Sequence, residues 1–541
     1  MSTSTLLLAA IAWLPGAARA APPAEQLGKV SFAVSCAVPM QAPFDRGLAL
    51  LHDFWYDEAQ PQFERIAQID PQCAMAHWGV AMSLYHQIWE RPNEQTTAHA
   101  WREMQAARAH PAKTAREREY VAALSRFFEP GPRSYQARVE EYAAAMGTLY
   151  SHYPHDVDAG ALYALALLAA EAPDDTSLQL PRKALAVLNP LFADNPDHPG
   201  LVHYIIHACD TPSLASEGLA AAKHYGEIAA SAPHAVHMPG HIFSRLGLWT
   251  ADIEANRASV AASAAADARG QSGAMDQFHS DDFLLYAYLQ SGQDAAAKAV
   301  IADAAAAMDR VATMPTMADH YMTGMFPYYR SKLPVIFDLE MRDWQTAAAL
   351  APVAGAPADT QTLTYWGRAI AAGHLREARQ ARSDLAEYDS LIDEVRKGSR
   401  AYLADSVGAR IRRDEMLAWT EFAEGKSPEA LRHMGDAADL QDKVGQGEVD
   451  IPASEMLGDI LLELGRPQEA LAEYQRALKL SPNRFNGLYN AGRAAEAAGD
   501  KAQAKSYYAA LLQSTDNGSK SSRPEFGHLK TFDASLARAV Q

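Results

Sequence analysis

Three histidines recur at helical spacing in the stretch SAPHAVHMPGHIFSRLGLW, which covers residues 231–249. His234, His237 and His241 are separated by three and four residues, so on a helix their imidazoles share one face. Imidazole nitrogen is a ligand for zinc, copper, iron and nickel. This face therefore predicts a transition-metal site or a polar ligand groove. A buried hydrogen-bond network, in which the histidines bond to carbonyls and to Asp210, is the structural alternative.

The preceding segment, HPGLVHYIIHACD, repeats the pattern. His203 precedes His237 by 34 residues, and His207 precedes His241 by the same number. Side chains one helical turn apart have Cβ atoms about 5–6 Å apart, and packed helices lie about 8–10 Å apart. Four imidazoles on that rectangle can converge on one ion through metal–nitrogen bonds of about 2 Å. We therefore expect these four histidines to be the core ligands of a metal site.

The next repeat supplies further candidates. Aligned on Gly292, it places His279, Asp282 and Tyr286 at the equivalent positions, at an offset of 45 instead of 34. An eleven-residue insertion is therefore expected in the loop around 264–275. We expect these three residues, together with His234, to be additional ligands or groups that orient an imidazole.

The sequence narrows the chemistry and the metal only in part. The residues between His203 and His207 are Tyr-Ile-Ile, so the site lacks the Glu of an HExxH motif, which argues against a zincin-type peptidase. The segment MPTMADHYMTGM carries four methionines around His320, namely Met314, Met317, Met322 and Met325. Thioether and imidazole together suit Cu(I), so copper is slightly favoured, with zinc and iron as alternatives. Adaptable core methionine is the structural interpretation of this segment.

Repeats near the C-terminus indicate which elements position these residues. Pairs of equivalent residues lie 34 apart: Gly458 and Gly492, Gly465 and Gly499, Ala470 and Ala504, Tyr474 and Tyr508. The pattern resembles the tetratricopeptide repeat (TPR) family, whose small, large and proline positions are met by Leu457, Gly458, Ala470, Tyr474, Ala477 and Pro482. The resemblance implies an all-α solenoid of antiparallel helix pairs in which the first helices line a concave groove. Taking Gly247 as the fifteenth repeat position places the histidines of 231–249 on such a first helix, facing the groove.

The organisation of the whole chain follows from these repeats. Strand patterns are nearly absent, and Ala, Leu, Glu, Gln and Arg recur at helical spacing. The chain also resembles a group of exported TPR-like proteins that carry segments such as CAMAHWGVAMSL and PHAVHMPGHIF. We expect helical repeats over 21–175, the histidine-bearing repeats over 176–350, further repeats over 351–450, and two regular units with a polar tail over 451–541.

Composition and the N-terminus limit the partners and the location. The 541 residues carry a formal net charge of −18, without a Lys/Arg cluster, so nucleic acid is not an expected partner. Residues 1–20 have an apolar run and end in Ala-Arg-Ala, which predicts a secretory signal peptide and a periplasmic or secreted protein. No later segment is expected to span a membrane. Export permits a disulfide, and of the three cysteines Cys36 and Cys73 are the expected pair, with Cys209 a buried thiol.

Other histidines are expected to be structural. His52 and His86 are predicted near helix C-termini, and each is followed three residues later by a tryptophan, Trp55 or Trp89. His77 is predicted to pack beside the tryptophan that follows it.

Three functions remain open on the sequence. The first is a groove that holds a His-rich transition-metal site. The second is a metal-free module that binds a peptide or an acidic ligand through hydrogen bonds or protonated imidazoles. The third is a metal-dependent enzyme that acts on a small molecule at an open coordination position.

Overall fold

The structure is a computed structural model that describes residues 25–172, 175–313, 324–445 and 449–539. Helices account for its regular structure, and the described residues contain no strand. The predicted all-α class is therefore confirmed. The described helices include none with the length and apolar character needed to cross a bilayer.

The helices of the N-terminal half are α1 (Gln41–His52), α2 (Tyr56–Ile69), α3 (Ala74–Ser83), α4 (Glu94–Ala109), α5 (Ala115–Phe128), α6 (Tyr135–His152), α7 (Val157–Ala169), α8 (Gln179–Asp194), α9 (Pro199–Cys209), α10 (Ala215–Ile228), α11 (Pro233–His237), α12 (Pro239–Arg245) and α13 (Trp249–Ala268). Those of the C-terminal half are α14 (Ala274–Gln290), α15 (Asp294–Val311), α16 (Phe326–Glu340), α17 (Trp344–Ala348), α18 (Ala358–His374), α19 (Ala378–Val395), α20 (Val407–Ala423), α21 (Ser427–Val444), α22 (Ala453–Glu463), α23 (Pro467–Leu480), α24 (Phe485–Ala497), α25 (Lys501–Ser514) and α26 (Glu525–Ala539).

Side-chain caps fix where several of these helices begin. Thr114 and Glu117 form a reciprocal capping box at the start of α5, and Ser406 accepts a hydrogen bond from the third residue of α20. Such caps satisfy backbone N–H groups that have no partner inside the helix. The caps and the alanine-rich composition therefore explain why these segments are helical before any packing is considered.

Consecutive helices pack in pairs, and the first helices of neighbouring pairs pack on one another. Contacts join α14 to α16, α16 to α18, α18 to α20, α20 to α22, and α22 to α24. In the N-terminal half, α1 contacts α3, α3 contacts α5, and α7 contacts α9, while α9 contacts α12 and α12 contacts α14. This is the stacking expected of helix-pair repeats, in which each pair buries its apolar face against the next.

The repeat glycines are explained by close helix contacts. A Cβ atom on Gly458 would lie 2.7 Å from the ring of Tyr474, and one on Gly492 would lie 2.2 Å from the ring of Tyr508. The two helices of each unit therefore approach closely because one side chain is missing. This contact explains why glycine and tyrosine recur in the sequence at a spacing of 34 residues.

The row of first helices returns on itself in the N-terminal half. α1 contacts α9, and the backbone N–H of Gly28 donates to the carbonyl of Ile228 at 2.9 Å. Cys36 and Cys73 are joined by a disulfide, and Cys209 is a free, buried thiol, so both expectations for the cysteines are confirmed. α9, which carries two of the candidate ligands, is thus held against the start of the chain.

The C-terminal half closes through buried charges. Arg484 is fully buried, and its guanidinium pairs with Glu340 at 2.8 Å and with Glu455 at 2.9 Å. The side-chain amide of Asn486 donates to the carbonyl of Glu340 at 2.9 Å, and the indole of Trp249 donates to the carbonyl of Asn483. These contacts join α24 and the turn before it to α13, α16 and α22, so the C-terminal repeats pack against the centre of the chain.

The extra residues before α14 are accommodated partly in a helix. The sequence placed them in a loop around 264–275, but α13 continues to Ala268 and α14 starts at Ala274. Alanine is the strongest helix former, and the stretch AASAAADA supports further helical turns instead of a long loop. The insertion therefore lengthens α13 by residues 264–268.

Replacing Arg484 by Met should lower the free energy of unfolding by about 3–5 kcal/mol, because two buried carboxylates lose their cation. The matched control is Arg466→Met, which breaks an exposed pair with Glu469 and should cost less than about 1 kcal/mol. Urea denaturation followed by circular dichroism measures both. Equal unfolding midpoints for the two variants would contradict the role given to the buried cluster.

Candidate metal centre

Six histidines from four helices meet where the two halves of the chain join. They are His203 and His207 on α9, His234 and His237 on α11, His241 on α12, and His279 on α14. The helix predicted across 231–249 is interrupted at Met238, because Pro239 has no N–H with which to continue the hydrogen-bond ladder. All six residues were candidates from the sequence, but their grouping differs from the predicted rectangle.

The first group of three contains His203, His207 and His234. The Nε2 atom of His203 lies 3.0 Å from Nε2 of His207 and 3.2 Å from Nε2 of His234. His203 and His234 are buried, and His207 is partly exposed. The histidine pair of α9 thus completes its group with a residue from the N-terminal end of α11.

The second group contains His237, His241 and His279. Nε2 of His237 lies 3.0 Å from Nε2 of His241, and the ring centroid of His279 lies 4.5 Å from that of His237. His237 is fully buried, His241 is 8% exposed, and His279 is partly exposed. Each group therefore has one partly exposed imidazole, at His207 and at His279.

Hydrogen bonds fix the tautomer that two rings in the second group adopt when they are neutral. Nδ1 of His237 lies 2.6 Å from Oδ1 of Asn256, whose side-chain NH2 already donates to the carbonyl of Asp252 at 2.9 Å. Nδ1 of His241 lies 3.0 Å from a carboxylate oxygen of Asp210, and Arg245 donates to the same carboxylate. Since Oδ1 of Asn256 and the carboxylate of Asp210 accept, the hydrogen of each neutral imidazole is on Nδ1 and the lone pair is on Nε2.

Two lone pairs of the second group consequently face each other. A neutral imidazole with its hydrogen on Nδ1 cannot donate from Nε2. The 3.0 Å separation between the Nε2 atoms of His237 and His241 is therefore not a hydrogen bond between neutral rings. A cation bound by both nitrogens turns this repulsion into attraction, and metal-ligating histidines are anchored through their other nitrogen in the same way.

The rings of the first group are held by similar contacts. Nδ1 of His203 donates to the backbone carbonyl of His52 at 2.6 Å, and Nδ1 of His234 lies 3.4 Å from a carboxylate oxygen of Asp276. A backbone carbonyl only accepts, so the lone pair of His203 is also on Nε2. Burial raises the pKa of Asp276 to about 8.

Aromatic side chains enclose the first group. The ring of Phe54 lies 4.3 Å from that of His203, 5.5 Å from that of His207 and 5.7 Å from that of His234. The backbone of Phe54 has a φ of 56°, a left-handed conformation that costs about 1–2 kcal/mol for a residue with a Cβ. Trp89 packs edge-on against His234 at 4.8 Å.

Burial also keeps two rings of the first group neutral. It lowers the pKa of His203 to about 3 and the pKa of His234 well below its usual value. Neutral imidazole is the form that binds metal.

Phe283 packs against the second group as Phe54 packs against the first. Its ring lies 4.8 Å from His237, 4.7 Å from His241 and 5.3 Å from His279. Nδ1 of His279 lies 3.2 Å from the hydroxyl of Tyr329 on α16. Both groups are therefore bordered by apolar rings on one side and by hydrogen-bond partners on the other.

Two predicted ligands lie outside these groups. Asp282 forms a close ion pair with Lys332 of α16, and the hydroxyl of Tyr286 donates to the carbonyl of Asp450 and bonds Arg484. They follow His279 by one and two helical turns, so α14 carries them away from the imidazoles toward these cations. The structure does not bring them together with the histidines as additional ligands.

A further buried cluster supports the first group. One carboxylate oxygen of Asp158 bonds His52 at 3.0 Å and His198 at 3.2 Å. Burial favours the neutral acid, but these two hydrogen bonds hold the pKa of Asp158 below its usual value. Gly200 makes room for this arrangement, since a Cβ there would lie 2.4 Å from Nδ1 of His52. His52, Asp158 and His198 form another group that could hold a metal, and the carbonyl of His52 orients His203.

The other lone histidines also have structural partners. His86 stacks on Tyr56 with ring centroids 4.3 Å apart, and Nδ1 of His77 lies 2.7 Å from Glu103. Residues 314–323, which include His320 and three of the four methionines that favoured copper, lie outside the described residues, as does the predicted signal peptide.

The sequence did not identify the residues that orient the imidazoles. These are Asn256, Asp276, Tyr329 and the carbonyl of His52, while Asp210 had been considered only as part of a structural network. Most of these residues lie on a different helix from the ring they orient, and their distance in sequence from that ring follows no fixed number. The one available signal was Asp252 and Asn256, a polar pair one turn apart in an alanine-rich helix.

A small cavity opens near the second group. It has a volume of about 160 Å3 and is lined by Lys332, Arg412, Asp450 and mainly apolar side chains of α16 and α18. Lys332 follows Tyr329 by one turn of α16, and the hydroxyl of Tyr329 contacts His279.

Comparison with known proteins agrees with the helix-pair architecture. A family model described as tetratricopeptide repeat matches residues 415–485 and 455–519. The resemblance of the C-terminal repeats to this family is thereby confirmed, and the fold is an α-solenoid of TPR-type helix pairs. No curated protein matches the sequence.

Two solved structures show weak similarity. One is the human IFIT1 dimer with m7Gppp-AAAA, at 10% identity and a TM-score of 0.36 over 81% of this chain and 90% of that chain. The other is Naa15/Naa10 bound to HypK-THB, at 14% identity and a TM-score of 0.24 over 92% of this chain and 74% of that chain. At these scores neither carries an argument about the present chain.

Metal-free protein should lose stability as the pH falls from about 6.5 to about 3. In the unfolded chain His203 gains a proton near pH 6.5, but in the folded chain its pKa is about 3. The unfolded state therefore binds more protons across this window, and each such ring contributes a slope of about 1.4 kcal/mol per pH unit. Above pH 6.5 this contribution to the slope vanishes.

Urea midpoints between pH 7 and pH 4 measure this slope. The variant His203→Leu should show a shallower slope than the wild type, whatever its absolute stability. His152→Leu, which replaces a ring that is 55% exposed, serves as the control and should keep the wild-type slope. Identical slopes in His203→Leu and the wild type would contradict the neutral, buried state of this imidazole.

Proposed function

We propose that the protein is a TPR-type solenoid that binds transition-metal ions in the six-histidine cluster. The observation that carries this proposal is the 3.0 Å separation of the Nε2 atoms of His237 and His241. Both rings are committed as donors through Nδ1, to Asn256 and to Asp210. When both rings are neutral, two acceptors converge there, and a bound cation stabilises that arrangement.

The donor set restricts the choice of metal. Imidazole nitrogens suit copper, zinc, iron and nickel, whereas magnesium and calcium prefer oxygen ligands. The side-chain oxygens of Asp210 and Asp276 contact Nδ1 atoms, which places them behind the rings and not among the converging nitrogens. Copper is our first candidate because the sequence contains a methionine-rich segment at residues 314–325, and zinc and iron are the alternatives.

The proposed location is the periplasm or the cell exterior. Disulfides persist in oxidising compartments and are rare in the cytosol. The bond between Cys36 and Cys73 supports this location, together with the signal-like sequence at residues 1–20. Imidazole ligands need no reducing environment, so a histidine site for copper or zinc is compatible with this location.

A metal-free module that binds a protein or peptide is the main alternative, because TPR repeats commonly bind protein partners through the groove. In its pH-dependent form, protonated imidazoles would attract an acidic ligand below about pH 6.5. The lowered pKa values of His203 and His234 disfavour that form, since both rings stay neutral at this pH.

An enzyme that acts on a small molecule is supported by the cavity that lies one turn along α16 from Tyr329, the partner of His279. Its charged residues Lys332, Arg412 and Asp450 could position a polar substrate. This function also requires the metal, so the same first experiment applies to it.

The test is elemental analysis of protein exported by its own leader and purified without metal-affinity steps. We expect near-stoichiometric transition metal in the wild type and its loss in His237→Ala/His241→Ala. Metal present at a hundred times its dissociation constant should stabilise the wild type by about 2.7 kcal/mol. The double variant should gain nothing from added metal.

The control replaces two exposed histidines, His152→Ala/His155→Ala, and should retain the metal. Circular dichroism establishes that each variant is folded. Absence of metal from the wild type, with thermal stability unchanged by copper, zinc, iron or nickel, would overturn the proposal. The groove would then be assigned to a peptide or small ligand.

A further inference from the structure

The cluster is divided into two sets of donor atoms. The repeat spacing predicted that His203 and His207 share one ion with His237 and His241, but the two pairs lie in different sets. Donor atoms of His203, His207 and His234 all lie within 4.8 Å of one another. The same holds for His237, His241 and His279, and the six together do not form one such set among the described residues. His234 and His237 are three residues apart on α11, yet they belong to different sets.

This division is incompatible with one ion bound by all six histidines. With metal–nitrogen bonds of about 2 Å, two nitrogens on one ion cannot be more than about 4 Å apart. Nε2 contacts of 3.0–3.2 Å within the sets meet this limit. The donor atoms of all six histidines do not lie within even 4.8 Å of one another, so one ion cannot bind all six.

We infer that the protein holds two metal ions side by side, one in each three-histidine set, as a binuclear centre. This inference rests on the proposed metal-binding function and adds a second ion to it. Two-metal centres that share one bridging oxygen have ions about 3.5–4 Å apart. Sets of imidazoles whose nearest rings are 6.0–6.4 Å apart can accommodate that spacing.

Each set is anchored independently, as two separate positions require. The first is oriented by the carbonyl of His52 and by Asp276, and the second by Asn256, Asp210 and Tyr329. Phe54 borders the first set and Phe283 borders the second. Filling one position therefore does not depend on filling the other.

Three imidazoles leave each ion with an open coordination position. Structural zinc sites are filled by four protein ligands, whereas three protein ligands and one water are typical of reactive sites. Six neutral imidazoles do not offset the charge of two divalent ions, so a small anion such as hydroxide is the ligand expected between them. The bridging ligand is thus expected to be hydroxide, or a substrate anion that replaces it.

Metal titration of the metal-free full-length protein tests this inference. With Cu(II) or Zn(II), the wild type should bind two ions per chain. His234→Ala removes a ligand from the first set alone, and His279→Ala removes one from the second set alone, so each variant should bind one ion tightly. The control His152→Ala should bind two.

The outcomes separate this inference from the proposed function. One ion in the wild type, abolished by either variant, would overturn the binuclear centre and leave the metal-binding function standing. No ion in the wild type would overturn both. If a variant fails to fold, the stoichiometry of the wild type still decides between one ion and two.

Electron paramagnetic resonance of the copper-loaded wild type gives a second, variant-free measurement. Two Cu(II) ions joined by a bridging ligand couple magnetically, so the signal should integrate to well below two spins per chain. The variants His234→Ala and His279→Ala should each give the full signal of one isolated copper. A full two-spin signal from wild type with two bound ions would show separate sites and contradict the shared bridge.

Discussion

A hydrogen bond at one nitrogen of an imidazole decides what the other nitrogen can do, and the histidine cluster depends on this constraint. The ring of His237 is committed to Asn256, and the ring of His241 is committed to a carboxylate. In the neutral rings the remaining nitrogens are therefore acceptors, and the backbone brings them to 3.0 Å. In the proposed metal-bound form, a cation between these two nitrogens replaces their repulsion by attraction.

The fold provides this arrangement by fixing four helices at one junction. α9 is held against α1 by the closure of the N-terminal half, and α14 is held against α24 by the buried charges around Arg484. The ligand-bearing helices α11 and α12 lie between them. Displacement of either flanking helix would separate the imidazoles. The contacts of α9 with α1 and of α14 with α24 therefore contribute to the geometry of the site, although they lie outside it.

Much of the fold could be predicted from the sequence because repeats leave a periodic trace. The 34-residue spacing identified the helix pairs, and it placed His203 and His207 opposite His237 and His241 on neighbouring first helices. Glycine and tyrosine kept this period because a close helix contact depends on them, as at Gly458. A contact that repeats in every unit is visible in one sequence without any structure.

The details of the site could not be predicted in the same way. The assignment of His234 to the pair on α9 depends on where the interrupted helix places each ring, and a spacing of three residues does not show this. Asp282 shared the repeat position of a ligand, but a lysine on another helix binds it. The orienting groups come from helices without a fixed offset, so only the three-dimensional packing reveals them.

The most direct test of the account is anomalous diffraction at the metal absorption edge from crystals of the full-length protein purified without metal-affinity steps. The account predicts anomalous peaks about 2 Å from the Nε2 atoms of the cluster, including one bound by His237 and His241. Strong peaks only at other places, or a cluster without anomalous density in crystals soaked with copper and with zinc, would contradict the central claim.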